Sequence, residues 1–205
     1  LRTLAPDSGH LVHMPSHIDV RRGRWNLAAE QNAIAMKVHD AYERRSPRQG
    51  LYRAYVFHNT HFRAYACMMA GRKDDALAAA HQMLESIPED FYAGYAPIVD
   101  AYSSIEVECM LRFGQWDRLL NHHEPRADLP ITRAMWRFGR AAAHAAKGDT
   151  KAARAEQQRF RDYAAKVPPN AMMAINPAEK VMRIADHMLE GEILFREGSV
   201  DEAEK

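Results

Sequence analysis

The stretch Met69–Ala80, "MAGRKDDALAAA", decides the architecture, because four other segments repeat its design. Each carries a glycine, then a bulky or β-branched residue or lysine two positions later, then a small or apolar residue three after that. The set is "GRWNLA" at Gly23, "GRKDDA" at Gly71, "GQWDRL" at Gly114, "GDTKAA" at Gly148 and "GSVDEA" at Gly198. The glycines follow one another at intervals of 48, 43, 34 and 50 residues. Self-similarity on this scale is the mark of stacked helical repeats. Each glycine is read as the close of a helix, since the residue that ends a helix often takes a left-handed conformation that glycine adopts without strain. The small residue five positions on falls where the next helix crosses closely. Each unit is therefore helix–turn–helix.

The flanking segments agree. Residues 25–45, 54–71, 98–114 and 131–148 place apolar side chains at helical spacing, and three of these four segments end at one of the glycines. In 176–198, Asn176 is expected as an N-cap with Pro177 at the first helical position. Pro47 with Gly50, Pro88, Pro125 with Pro130, and Pro168–Pro169 punctuate the joins. No strand is expected.

The segments "RRGRWNLAAEQNAI", "MAGRKDDALAAA", "RFGQWDRLL", "AKGDTKAARAE" and "REGSVDEAE" together resemble the tetratricopeptide repeat family. Lys73, Thr150 and Val200 stand where that family usually has an aromatic residue. The resemblance implies an all-α, right-handed superhelical solenoid of antiparallel helix pairs, about five units in a single domain over residues 1–205. It also implies that the first helix of each pair lines a concave surface that takes a protein, a peptide or a small molecule.

Bulk composition narrows the function. The formal charge is +1 with 47% apolar and 27% charged residues, so nothing calls for a nucleic-acid partner. The basic clusters "RRGR" (21–24) and "RRSPR" (44–48) coincide with turn signals and read as solvated turns. No apolar run is long enough to span a membrane. Two cysteines, Cys67 and Cys109, form no disulfide framework and no CxxC motif, which suits a reducing, cytoplasmic setting. The ends, Leu1 and "VDEAEK", read as cuts from a longer chain. There is no phosphate-cradling glycine loop, no G-x-S-x-G and no HExxH.

The chemistry is carried by histidines. "GHLVHMPSHI" (9–18) holds His10, His13 and His17, and "FHNTHF" (57–62) holds His58 and His61. His10, His13 and His17 lie thirteen, ten and six residues before Gly23; His58, His61 and Tyr65 hold the same offsets before Gly71. Before Gly114 those offsets fall on Ala101, Ser104 and Glu108. Offsets of three and seven stay on one helical stripe. Neighbouring stripes are thus expected to face a common hollow, which makes His10, His13, His17, His58 and His61 candidate metal ligands and Tyr65, Ser104 and Glu108 candidate ligand contacts. Imidazole accepts zinc, iron and copper alike. Met14, Met68 and Met69 are close in sequence but read as packing residues. Pro15 sits inside the first stripe, so the helix there either kinks or begins near it, with Asp7 or Ser8 as an alternative cap upstream. Three readings follow: a binding module whose histidine-rich groove holds a metal, a small ligand or a partner; a metal-dependent hydrolase or oxidoreductase on the same scaffold; and a plain protein scaffold with incidental histidines.

Overall fold

The computed structural model describes residues 3–47 and 50–204; Arg48, the last residue of the second basic cluster, lies outside them. In chain order the helices are α1 (Gly9–His13), α2 (Ser16–Arg21), α3 (Trp25–Arg45), a 3-10 turn (Gly50–Arg53), α4 (Ala54–Met69), α5 (Lys73–Glu85) and α6 (Glu89–Asp100). They continue with α7 (Ile105–Arg112), α8 (Trp116–Asn121), α9 (Pro130–Ala146), α10 (Thr150–Ala164), α11 (Ala178–Glu197) and α12 (Val200–Ala203). A two-residue antiparallel ladder, β1 (Met172–Met173) with β2 (Asn176–Pro177), is the sheet among the described residues. The protein is all-α, as the repeats required.

The five motif glycines behave alike. Each has positive φ, between 61° and 87°. In each, the residue after the glycine donates its N–H to the carbonyl five positions back: Arg24 to Asp19, Arg72 to Cys67, Gln115 to Met110, Asp149 to His144 and Ser199 to Leu194. The glycine N–H reaches the carbonyl three back in every case, as in Gly71 to Met68 and Gly148 to Ala145. This is the Schellman closure, which satisfies two carbonyls that the helix end would leave bare. The residue two beyond each glycine opens the next helix: Trp25, Lys73, Trp116, Thr150 and Val200 are the first residues of α3, α5, α8, α10 and α12. Three positions later Ala28, Ala76, Leu119 and Ala153 are fully buried, so the close crossing is real in the first four units.

The chain forms two compact units, Leu1–Phe91 and Tyr92–Lys205, with the boundary inside α6. In the first unit α3 packs against α1, α2 and α4, and α4 packs against α5. Its core is built largely from small side chains, including Ala28, Ala35, Ala64, Cys67, Ala76 and Ala79, which let helix axes approach. In the second unit α9 is the hub, touching α7, α8, α10 and α11. Gly139 explains how: a Cβ there would stand 2.7 Å from Val107 Cγ1 and 3.1 Å from Leu119 Cδ2. Ile131, Met135, Phe160 and Met182 fill the core along the first half of α9, and Ala141, Ala153, Leu189 and Ile193 along its second half. Pro97, with non-helical Tyr95 (φ −138°, ψ 27°) before it, bends α6.

Three local expectations are refined. The first stripe is two short helices, with Pro15 as the N-cap of α2 and Ser8 as that of α1. Helix α11 begins at Ala178; Pro177 is its extended N-cap and Asn176 belongs to β2. The tiny hairpin was not foreseen, and Ala174 (φ 53°) gives the reason: its left-handed turn has no glycine to announce it. Cys67 and Cys109 are buried free thiols. Among the described residues no helix is long and apolar enough to cross a membrane.

Candidate metal centre

The site lies wholly in the first unit and draws on four helices. His13 ends α1, His17 lies in α2, His58 lies in α4, and Asn32 in α3 stands behind them. His13 and His17 are four residues apart, and the backbone continues through the Pro15 break closely enough to keep both rings on one side. Their Nε2 atoms are 3.0 Å apart. From the neighbouring helix His58 brings its own Nε2 to 3.0 Å from that of His13. One ligand atom from each of the three rings lies within 4.8 Å of the other two.

Asn32 fixes the chemistry of the central ring. Its Nδ2 donates to the Ala28 carbonyl at 2.8 Å, which orients the amide. Its Oδ1 therefore faces His13 Nδ1 at 2.7 Å. A carbonyl oxygen can only accept, so Nδ1 carries the proton and donates. In a neutral ring this leaves Nε2 as a bare lone pair aimed at the other two imidazoles. That arrangement, one ring nitrogen tied to an oxygen and the other free, is how proteins set a metal-binding histidine.

Burial keeps the rings uncharged. His13 is fully enclosed, and desolvation pulls its pKa down to about 4 against the opposing pull of the Asn32 bond, with the other histidines adding to the depression. Burial also takes His58 to about 4, helped by His17, His61 and His10. His17 and His10 are lowered by burial as well. At neutral pH the cluster is a set of neutral nitrogen donors, the protonation state a metal ion needs.

Aromatic rings frame the donors. Phe62, one turn on from His58, sits edge-on to His13 at 4.9 Å and to His17 at 4.8 Å between centroids. On another side His10 lies 5.7 Å from His13 and 4.0 Å from Tyr55. Tyr55 continues to Tyr52 at 5.2 Å, and Tyr52 stacks on buried His39 at 5.4 Å. His17 is exposed, so the cluster opens to solvent at that ring.

The stripe expectation is thus met in part, and its register differs. His13, His17 and His58 converge; His10 is adjacent, with its buried Nδ1 lacking a hydrogen-bond partner. His61, held at about 4 by burial, influences His58 but falls outside the converging set. His58 meets residues three and seven positions further along the equivalent stripe, a stagger of about 5–10 Å at the helical rise. Tyr65 turns edge-on to Trp25, 6.0 Å between centroids. Ser104 and Glu108 belong to the second unit, where the Ser104 hydroxyl donates to Glu108 Oε1 at 2.7 Å and burial raises the Glu108 carboxyl. Sequence reasoning missed Asn32, Phe62 and Tyr55. Asn32 had left a trace: it is a lone amide between Ala28 and Ala35–Met36 on the apolar face of α3.

The remaining histidines serve other ends. His81 pairs with Glu85 on the surface, and His122 is raised by its bond to Glu106. Comparison with protein-family models, curated proteins and solved structures found no match.

Proposed function

We propose that the first unit binds one divalent transition-metal ion of the zinc, copper or iron class through Nε2 of His13, His17 and His58. The observation that carries this reading is the meeting of three neutral imidazole nitrogens around a common point, one of them with its tautomer already set by Asn32. Two nitrogens bound tetrahedrally to zinc stand about 3.4 Å apart, against 3.0 Å for His13–His17 and for His13–His58 and no more than 4.8 Å for His17–His58, so the rings must shift modestly to share an ion. His17 and His58 would carry their protons on Nδ1 when the ion is held. The donor set contains nitrogen alone, which suits these borderline ions and disfavours magnesium or calcium.

The scaffold belongs to the same proposal: a tetratricopeptide-like array of helix pairs whose first helices display the ion to a ligand or partner. The alternative, a metal-dependent hydrolase or oxidoreductase, is favoured by one specific feature. Three protein ligands with an open fourth position is the pattern of catalytic rather than structural zinc sites.

The test is metal titration of chelator-stripped protein purified without a histidine tag, using Zn²⁺, Cu²⁺ and Fe²⁺ in turn, by calorimetry and elemental analysis. One ion per chain is expected. His58→Ala should weaken binding by more than about 100-fold, beyond the usual cost of losing an outer-shell partner. His81→Ala, on the surface, should change nothing. Failure of every ion to bind, or equal binding by His58→Ala, defeats the reading.

A further inference from the structure

The second unit carries its own cluster of charge, where α9 packs against α10. Arg133 and Arg137 of α9 and Lys166, just past α10, all stand over the ring of Tyr163: the two Cζ atoms and the Nζ lie 4.8, 5.2 and 5.1 Å from its centroid. Arg137 also covers the indole of Trp136 at 4.3 Å, and Arg140 covers it at 5.2 Å. Two carboxylates answer these cations. Buried Glu156 is shared by Arg137, Arg140 and Arg159. Glu124 serves Tyr163's side: its Oε1 accepts from Arg133 Nη2 and from the Tyr163 hydroxyl at 2.8 Å, and its Oε2 lies 3.7 Å from Arg137 Nη2. Lys166 has no ion pair among the described residues, and Asp162, beside Tyr163 in sequence, accepts from Gln158 at 2.9 Å. Arg133, Arg137, Arg140, Arg159 and Lys166 thus share two single negative charges.

Donors outnumber acceptors as well. Arg133 Nε, Arg137 Nε and Trp136 Nε1 are buried without a hydrogen-bond partner. These atoms are enclosed and out of a ligand's reach; they record how short of acceptors the cluster is. Glu124 differs from the groups it meets. Arg133, Arg137 and Tyr163 are fixed on helices, whereas Glu124 lies on the connection from α8 to α9 with its side chain 39% exposed. It can leave without any helix moving, and an ion pair this open to water is weakly held. Hydrogen bonds from Arg133 and Tyr163 hold its carboxyl below the usual carboxylate range, so the surrounding groups favour an anion in that place. One negative charge is a poor match for three cations around one ring. A phosphomonoester brings about −1.5 to −2, with three acceptor oxygens for two guanidinium forks and a phenol.

Going beyond the metal site, we propose that Arg133, Arg137, Tyr163 and Lys166 bind a phosphomonoester dianion, free or on a partner's side chain, and that Glu124 is the built-in group it displaces. The connection between α8 and α9 is then a strap that closes the site with a weaker anion of the same kind.

Nitrogen-15 NMR of the full chain, read at the α9 and α10 amides and at the Arg133 and Arg137 Nε–H groups, locates binding. Inorganic phosphate, acetate and the capped peptide acetyl-Ala-phosphoserine-Ala-amide are titrated in turn at constant ionic strength and about pH 7.5, where the phosphates are mostly dianions. Saturable shifts with phosphate are expected, with affinity raised about tenfold in Glu124→Gln and acetate at least tenfold weaker than phosphate. Lys166→Gln, an exposed change that leaves the fold intact, should lower phosphate affinity about threefold. A response to the peptide equal to that for phosphate supports a partner's phosphorylated side chain; a response to phosphate alone supports a free ester. No localised shift in Glu124→Gln, or an unchanged affinity in Lys166→Gln, overturns the site. Equal phosphate affinity in the parent and Glu124→Gln overturns the displacement, and acetate binding as tightly as phosphate overturns the dianion.

Discussion

The two units use one turn device and differ in the polar groups at the centre of each. In the second unit two of the buried polar side chains are carboxylates with matched donors. Glu156 (3% exposed) accepts from Arg137 at 3.1 Å and Arg159 at 2.8 Å, with Arg140 at 3.4 Å. Asp100 (3% exposed) accepts from the backbone N–H groups of Ile131 and Thr132, both at 2.8 Å, and so caps α9 from a distance. In the first unit the buried polar groups are mostly neutral, Asp19 apart, and include imidazoles that face one another. His13 and Asn32 are fully enclosed, and His13 faces two more imidazoles. Opposite charges complete each other. Lone pairs gathered around a point do not; in the proposed reading a cation from outside completes them. The second unit's buried carboxylates are matched from within; the first unit's imidazoles are the group that the proposed ion would complete.

The largest effect expected from breaking this contrast lies in the second unit. Glu156→Ala removes the shared partner of Arg137 and Arg140 on α9, and should cost about 3 kcal/mol in a denaturant titration, at the lower end for removing one partner of a buried pair because Arg137 keeps Glu124 and Arg140 keeps the Leu120 carbonyl. Metal affinity in the first unit should be unaffected. Next in size, Asn32→Leu keeps the bulk of the side chain and removes the acceptor for His13 Nδ1–H. The three ligands remain, but the central ring loses its fixed tautomer, and metal affinity should fall 10- to 100-fold, roughly 1.4–2.7 kcal/mol. An unchanged affinity would mean that Asn32 merely fills space.

The helical pairs were legible because glycine marks their turns: a left-handed closure needs that residue, and five copies make a pattern no single copy would. The identity of the site helix pair was legible for the same reason, since histidines at equal distances from two turns must share a stripe. What the pattern could not supply was the stagger between stripes, which is set by how α1, α2 and α4 lean on α3. Equal offsets suggested His13 opposite His61; the packing puts His58 there instead. Asn32 was hidden by position, because it reaches the site from the second helix of its pair, the face assumed to point away. Pro177 and Ala174 show a further limit: the chain around α11's start is decided by a hairpin too short to leave an alternation of residues.

The smallest effect separates the units by pH. His13, His58 and His61 are depressed by burial to about 4 in the folded chain, against an ordinary value near 6.5 once unfolded. Between those values the unfolded chain binds more protons than the folded one, so stability rises with pH and is lost as pH falls from about 6.5 towards 4. Glu156 behaves differently: burial tends to raise it, but the Arg137 bond and the Arg140 and Arg159 charges prevail and hold it below the usual carboxylate range. Its contribution is intact above its unfolded value, near 4.5, and fades only as pH drops through its lower folded value. Amide exchange read separately for α3–α4 and α9–α10 from pH 7 to pH 5 should therefore show protection falling in the first unit, by on the order of 1–2 kcal/mol after allowance for solvent screening, and holding in the second. Saturating zinc should raise first-unit protection at each pH and leave the fall with pH in place, because the ion keeps protons off the folded state while the unfolded histidines still take them up. Equal loss in both units would show that the first unit's buried imidazoles do not govern its stability.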